Sequence, residues 1–423
     1  MRHASYAARA RGLMVIALTL GPVTCSSQSQ DDRAESVGGT TEPDAIGTND
    51  NPAEVVPGAT SLLAHNLSAA DVGKTFGVDD AHVPYPDTYW PFDHDGIARQ
   101  WLENAPSPLE KYMALMNPES GSDAVEWELV NHGTGLGIVP SWYGHCPGWS
   151  AAATLVPRVL HPVYVRQADG TIGSCTPEQD GCIRLEIGDM NALAAEVFND
   201  GTARFIGARC DTPPNLIPRD PYGRIVRNGT GCKGLNPGAL MVVLAAQMRY
   251  LGKSLIIDAQ DDNNTDQIWN QPAYRYTVNR YEVLDRASAA NFVVYGKATG
   301  SLSQYPWNDA ARGFVLVDAT IHWVTEDGPN QTFVSGLSST KQTRFVAVLE
   351  IDSAPSDPNA RIIGGEYIDD PSVGADRLTI PPFVQIARGP GPEGLPPDAD
   401  GSQHNPWVSP ATVMQLLTLG AAP

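Results

Sequence analysis

Basic residues are scarce in this chain of 423 residues, which has 28 Lys and Arg against 48 Asp and Glu and a formal net charge of −20. A surface of that sign repels phosphate backbones and anionic lipid headgroups. We therefore expect no nucleic-acid partner, and contact with a membrane only through a lipid at the N-terminus.

Several familiar sequence signals are also missing. After the N-terminal leader there is no apolar run long enough for a transmembrane helix, and there is no heptad or internal repeat. The chain has no phosphate-binding loop, zinc-ligand spacing or Gly-x-Ser-x-Gly elbow. The oxygen-rich stretch 258–267 lacks the glycine and the distal glutamate of a calcium loop. We therefore predict no metal and no cofactor.

The N-terminus has the composition of an export signal. Basic residues precede an apolar segment, 12–25, that is too short to span a bilayer as a stable helix. Its end leaves two outcomes open, lipidation of Cys25 or ordinary cleavage and secretion. Residues 26–61 have the composition of a flexible tether. We expect a signal peptide over 1–25, a disordered tether over 26–61 and one folded domain over 62–423, in an exported protein that is surface-anchored or secreted.

Only six cysteines are present. Two pairs of them close turn-rich loops, Cys175–Cys182 and Cys210–Cys232, and an oxidising compartment favours such bridges, although connectivity does not follow from sequence alone. If both bridges form, and Cys25 is lipidated or removed, one thiol remains. We therefore predict that Cys146 is unpaired, and a bridge at Cys146 would end the hypothesis that it is the nucleophile.

Helical periodicity comes first along the chain and strand-like alternation second, so the predicted fold class is α+β. The clearest helix is 237–252, with Pro237 in its first turn and Gly252 as its stop. The other predicted helices cover 95–105, 109–116 and 189–199, with a short one near the C-terminus. The predicted strands cover 253–259, 274–284, 291–298, 313–325, 343–352 and 360–368.

The stretch SWYGHCPGWSAAATL, 141–155, places Cys146 at a tight turn before small residues suited to a helix. A helix N-terminus stabilises a thiolate and presents backbone N–H groups to an oxyanion. Trp142 and Trp149 would wall such a site. A structural cysteine in an aromatic cluster would have a similar sequence, so the motif alone leaves both interpretations open.

A second stretch, IWNQPAYRY at 268–276, completes an ordered set of motifs. The others are YWPFDHDGIARQW, SWYGHCPGW, LEIGDMNAL, NPGALMVVL, SLIIDA, VAVLEID and RIIGGEYI. Together they resemble the transglutaminase elicitor family, known from oomycete cell-wall proteins and found also in bacteria. The resemblance implies a papain-like or transglutaminase-like cysteine core, with helices followed by an antiparallel sheet.

The resemblance also implies a Cys–His–Asp relay for protein-glutamine γ-glutamyl transfer. Cys146 would attack the γ-carboxamide of a peptide-bound glutamine, and a lysine amine would take the acyl group. The partners would be glutamine- and lysine-containing proteins or peptides. Asp258 matches the relay acid, but the expected histidine falls at Met241, which cannot accept a proton. We predict that residue 241 and Asp258 lie close to Cys146, and that Met241→His raises a slow activity.

No other histidine has a strong argument for the role of base. His145 adjoins Cys146 but points in a different direction, and His322 lies in a strand. The remaining candidates lie in turns or at a helix end: His94, His132 and His161. Two alternatives stay open. One is a catalytically impaired homologue that binds peptides or a wall polymer; the other is a cysteine peptidase or deamidase, in which water replaces the amine.

Overall fold

The computed structural model describes residues 67–116, 123–168, 170–208, 214–225, 234–259, 267–368, 381–393 and 404–422. The predicted leader, Cys25 and the predicted tether lie outside these residues. Within the described part of the chain, no helix combines the length and the hydropathy needed to cross a bilayer.

The helices lie mainly in the first half of the described chain. The α-helices are α1 (Pro108–Met116), α2 (Asp123–Asn131), α3 (Cys146–Leu155), α4 (Ile187–Asn199), α5 (Pro237–Leu244), α6 (Arg286–Tyr295) and α7 (Pro410–Ala421). A π-helical segment, Ala245–Tyr250, continues α5. Short 3-10 turns lie at Ala69–Asp71, Asp80–His82, Phe92–His94, Gly96–Ala98, Thr134–Leu136, Pro214–Leu216 and Gly336–Ser338.

The strands form one large and one small sheet. They are β1 (Thr75–Gly77), β2 (Val163–Ala168), β3 (Thr171–Ser174), β4 (Ile183–Leu185), β5 (Thr202–Gly207), β6 (Leu255–Asp258), β7 (Asn270–Leu284), β8 (Gly313–Val324), β9 (Thr340–Ile351), β10 (Ile362–Tyr367) and β11 (Phe383–Gly389). The large sheet has the order β10-β9-β8-β7-β6-β11-β5, with β1 paired to β7, and the small one has the order β3-β2-β4. The strand pairs of both sheets are antiparallel. The predicted α+β class is confirmed.

Helices cover both faces of the large sheet, and β6 shows which face is which. Leu255 and Ile257 pack into one core together with α5, whereas Ile256 packs into a second core with α3, α4 and α7. Because side chains alternate along a strand, Asp258 shares the face of Ile256 and points toward the side of α3.

The predicted helix at 237–252 is confirmed. The Asn236 side chain accepts hydrogen bonds from Gly238 N at 2.8 Å and Ala239 N at 3.3 Å, and Pro237 occupies the first turn. Gly252 ends the segment with a φ of +59°, a conformation that favours glycine.

Two local predictions are wrong. The segment 291–298, predicted as a strand, forms the end of α6, because the Asp285 side chain caps that helix by accepting from Ser288 N and Gly296 closes it at a φ of 66°. The segment 95–105, predicted as a helix, contains only the turn Gly96–Ala98. The turn ends because Arg99 is extended, with a ψ of 133°, and Asn104 further along has a left-handed φ of 59°.

Candidate active site

Cys146 is the first residue of α3, as the small-residue run predicts, and its side chain is 1% exposed. Gly148 permits the close packing of α3 on α4, since a Cβ at this position would lie 1.7 Å from the Ala195 carbonyl oxygen. Trp149 is fully buried in the helical core and donates its indole N–H to the Tyr85 carbonyl at 3.2 Å. Trp142 lies edge-on to Tyr143 at 4.5 Å. Both tryptophans are therefore held by contacts within the fold.

The predicted free thiol at position 146 is wrong. Cys146 is disulfide-bonded, and its partner lies outside the described residues. The predicted bridge Cys175–Cys182 is present, whereas Cys210 and Cys232 also lie outside the described part of the chain. Sequence proximity favours the bridging of neighbours, but the folded chain decides which sulfur atoms meet.

Asp258 lies at the end of β6, is fully buried and points toward the side of α3, as predicted. Its Oδ1 accepts a hydrogen bond from Trp269 N at 2.9 Å. The carbonyl oxygen of Ile268, in the same peptide unit, lies 4.0 Å from the Cys146 sulfur. The first residues of the IWNQP stretch thus connect Cys146 and Asp258.

Sequence reasoning missed the role of Tyr89 in joining the two motifs. Its ring lies edge-on to the Trp269 ring at 5.6 Å, its hydroxyl donates to the Ser141 carbonyl at 2.8 Å, and its carbonyl accepts from His145 N at 2.6 Å. The only available signal was its position in the YWPFDHDG motif.

A cavity of about 250 Å³ borders the same stretch. It is lined by Ala259, Gln267, Trp269, Gln271, Trp323, Thr325, Glu326 and Lys341. Burial raises the pKa of the Glu326 carboxyl above its usual value. A larger cavity, of about 660 Å³, lies between α1 and β4 and borders none of the predicted catalytic residues. The smaller cavity does not border them directly, but its lining includes Trp269, whose backbone N–H bonds Asp258, so it is the better candidate for a substrate contact.

Met241 does not join Cys146 and Asp258, contrary to prediction. Its side chain is buried in the core formed by α5 and the opposite face of the sheet, together with Leu255 and Ile257. A side chain at 241 on this face is separated by the sheet from the face that carries Asp258. The sequence pattern located the helix but not the direction of this side chain.

The described histidines are held by other partners. His322 lies 2.7 Å from Thr277 Oγ1, and burial, with the charge of Arg275 adding to it, lowers its pKa. The remaining ones lie beside acidic or carbonyl groups: His82 at Asp79, His94 at Asp93, His132 and His145 at Glu128 and Glu196, His161 at Ala422, and His404 at Asp200. The described residues therefore supply no obvious general base for the sulfur.

A buried cluster of Glu128, His132, His145 and Glu196 lies next to the start of α3. Burial raises the pKa of the Glu128 carboxyl, but His132 and His145 outweigh this effect and lower that pKa to about 2. Burial lowers the pKa of His132, but Glu128 and Glu196 outweigh it and raise that pKa to about 10. The Nε2 atom of His145 therefore faces the carboxylates of Glu128 and Glu196. This position gives no support to His145 as the base for Cys146.

Comparison with known proteins agrees with this architecture. The family model described as transglutaminase elicitor matches residues 129–382. Among solved structures, the crystal structure of the GP42 transglutaminase from Phytophthora sojae is similar, with a TM-score of 0.61 and 19% sequence identity, over 89% of this chain and 99% of that one. At that identity the likeness shows the fold. A search of the curated proteins finds no match.

Proposed function

Since the chain belongs to the transglutaminase elicitor family, we propose that it is an exported protein-glutamine γ-glutamyltransferase. The bridge at Cys146 excludes attack by this sulfur in the oxidised protein, so the proposed nucleophile is Cys146 after a thiol reductant has opened that disulfide. The observation that carries the proposal is the position of Cys146 as the first residue of α3, one peptide unit away from Asp258.

The proposed reaction has three steps. A dithiol reductant is oxidised to its disulfide while the Cys146 bridge is reduced to two protein thiols. The Cys146 thiolate then attacks the γ-carboxamide carbon of a protein-bound glutamine, the C–N bond breaks, and ammonia leaves with the thiol's former proton, carried by water. A lysine amine attacks the thioester, the C–S bond breaks, and the proton released by the amine returns to the sulfur.

Helix α3 supports the first two steps electrostatically. Cys146 lies in the first turn of this helix, where free backbone N–H groups and the positive end of the helix dipole favour a thiolate and a developing oxyanion. Without a histidine base the rate would be lower by roughly 10²–10⁴-fold than that of a complete relay. The resemblance to a papain-like core rests on this combination of a helix-terminal cysteine and an acid on the adjacent sheet.

The substrates and location follow from the same proposal. Glutamine- and lysine-containing proteins or peptides are the partners, and the leader over 1–25 supports export, with Cys25 as the site of a lipid anchor or with simple secretion. The net charge of −20 gives no support for a nucleic-acid partner.

Amine incorporation tests the proposal. A labelled primary amine and a glutamine-containing protein are incubated with the full chain, with and without a dithiol reductant. We expect incorporation only after reduction, and none with Cys146→Ala. Because the reductant also opens Cys175–Cys182, the double variant Cys175→Ser/Cys182→Ser is the matched control and should still require reduction. Incorporation by Cys146→Ala, or none by the reduced wild type, contradicts the proposal.

A second candidate function is non-catalytic binding of glutamine-containing peptides or a wall polymer. It is favoured by the disulfide at Cys146 and by the burial of Met241 in the core of the opposite sheet face. Peptide binding that is unchanged in Cys146→Ala, with no incorporation under reduction, would establish this alternative. Release of ammonia or new N-termini without amine incorporation would instead indicate a deamidase or peptidase.

A further inference from the structure

The buried cluster of Glu128, His132, His145 and Glu196 is a candidate metal site. One ligand atom from each of the four side chains can be chosen so that all lie within 4.8 Å of one another. His145 Nε2 lies 3.1 Å from Glu128 Oε1 and 3.1 Å from Glu196 Oε2. His132 Nδ1 lies 3.3 Å from Glu128 Oε2 and 3.6 Å from Glu196 Oε1.

The fold brings these residues together from three parts of the chain. Glu128 lies in the last turn of α2, and His132 directly follows the helix, where its N–H donates to the Glu128 carbonyl at 2.6 Å, so both side chains are on one side. His145 immediately precedes α3, and Glu196 lies in the last part of α4. Imidazole nitrogen and carboxylate oxygen together are a donor set typical of Zn²⁺ and related transition metals.

The spacing fits a tetrahedral ion. Ligand atoms that lie about 2.0–2.2 Å from Zn²⁺ are about 3.3–3.6 Å from one another in a tetrahedron. The four N···O distances, from 3.1 to 3.6 Å, are close to that range but use both oxygens of each carboxylate. With one ligand atom from each side chain, all four lie within 4.8 Å of one another, so the carboxylates must rotate to turn one oxygen each toward a common centre.

Hydrogen bonds alone explain the cluster less well. An imidazole nitrogen carries at most one hydrogen, yet His132 Nδ1 and His145 Nε2 each face oxygens of both Glu128 and Glu196. A single hydrogen points at one oxygen at a time, whereas a central cation contacts all donors at once. A divalent cation with two neutral imidazoles would also balance the two buried carboxylates.

The surroundings orient the carboxylates and exclude solvent. Ile97 N donates to Glu128 Oε1 at 3.1 Å, and Asn405 N donates to Glu196 Oε1. Gly96 leaves room for the first carboxylate, since a Cβ there would lie 2.4 Å from Glu128 Oε1. The Phe92 ring stacks on His132 at 4.7 Å. Hydrogen bonds that orient the ligand carboxylates, and apolar side chains that exclude water, are the surroundings that support a metal site.

We propose that Glu128, His132, His145 and Glu196 bind one divalent transition-metal ion of the Zn²⁺ class. Four protein ligands in a closed, buried pocket make this a structural site. His145 caps α3, and its carbonyl accepts from Trp149 N at 2.9 Å, so the ion would fix the first turn of the helix that begins with Cys146. His145 Nδ1 has no hydrogen-bond partner among the described residues, which predicts an affinity about 10–100-fold below that of a fully supported site.

Metal loading of the full chain tests this proposal directly. The purified protein is stripped with a chelator, dialysed at neutral pH and titrated with Zn²⁺ or Co²⁺. We expect one equivalent bound, visible d–d bands of tetrahedral Co²⁺, and a Tm that rises with the free metal concentration. Cys146→Ala should bind equally well, which separates this site from any binding by the thiol.

Two variants and one control locate the ion. Glu196→Gln and His132→Gln should lower the affinity by more than about 100-fold, whereas Glu126→Gln, an exposed glutamate on the same helix as Glu128, should leave it unchanged. Stripped wild type that binds no more Zn²⁺ than Glu196→Gln overturns the proposal. If either variant does not fold, the absence of d–d bands in wild type loaded with Co²⁺ overturns it equally.

Discussion

Cys146 and Asp258 contact opposite edges of one peptide unit. The Ile268 carbonyl oxygen lies 4.0 Å from the Cys146 sulfur, and the following Trp269 N–H donates to Asp258 Oδ1 at 2.9 Å. The carboxylate therefore fixes the backbone that contacts the sulfur. The start of the WNQP segment thus links the two side chains structurally, without a histidine between them.

Asp258→Ala should destabilise the fold by about 1–3 kcal/mol, because it leaves the buried Trp269 N–H without its acceptor. Asp258→Asn keeps an oxygen at the Oδ1 position and should cost less. Urea unfolding of both variants measures the difference. Equal loss in the two would mean that the carboxylate charge, and not its hydrogen bond, holds the segment.

Met241→His should not raise amine incorporation, which reverses the expectation drawn from the sequence. Met241 is buried in the apolar core with α5, so an imidazole there loses its hydration without a partner, at a cost of about 1–3 kcal/mol. Met241→Leu is the matched control and should cost less than about 1.5 kcal/mol. The checks are denaturant unfolding and amine incorporation under reduction. A gain in activity that disappears in a Cys146→Ala background would show that residue 241 reaches the sulfur.

Local patterns in the sequence predicted those parts of the fold that local physics decides. The start of α5 was predictable because the Asn236 side chain caps it. Strands β7 to β9 were predictable because they are rich in β-branched and aromatic residues. Asp258 was predicted at the end of an apolar strand for the same reason. The family motifs added the order of these elements.

Contacts between distant segments were not predictable in this way. The side of the sheet that Met241 faces depends on the packing of α5, and the pairing of Cys146 depends on a sulfur far from it in sequence. The buried cluster gave no spacing signal, because Glu196 comes from a different helix than Glu128 and His132. The Asp285 cap reversed the strand propensity of Val293 and Val294 in α6.

Glu326 should make stability fall with rising pH. Burial raises its pKa in the folded protein above the usual 4.5, so the folded state binds this proton more tightly than the unfolded state does. Its contribution is greatest below pH 4.5 and is lost as the pH rises through the folded-state pKa. The glutamine side chain in the variant Glu326→Gln has no proton to lose. The free energy of unfolding of Glu326→Gln, relative to that of wild type, should therefore increase as the pH rises from 4.5 through the folded-state pKa. Thermal melts from pH 4 to 8 measure it, with the exposed Glu103→Gln as the matched control.

Arg224 holds a buried junction between the segment 214–225, α6 and β10, and its removal should be among the most damaging substitutions. Its guanidinium donates to Glu366 Oε2 at 3.0 and 3.1 Å and to the carbonyls of Val293 and Tyr367. Arg224→Met leaves the carboxylate and both carbonyls without these donors, and the loss of one member of a buried ion pair costs about 3–5 kcal/mol.

The exposed pair of Arg280 and Glu282 is the matched control for that substitution. Arg280→Met removes the same charge at the surface and should change the free energy of unfolding by less than about 1 kcal/mol. Replacing both partners, Arg224→Met with Glu366→Leu, should recover part of the loss, because no unpaired charge remains in the interior. Urea unfolding of the four proteins measures these differences. A double variant less stable than Arg224→Met would mean that Glu366 contributes to this junction through partners other than Arg224, because both variants lack the carbonyl contacts.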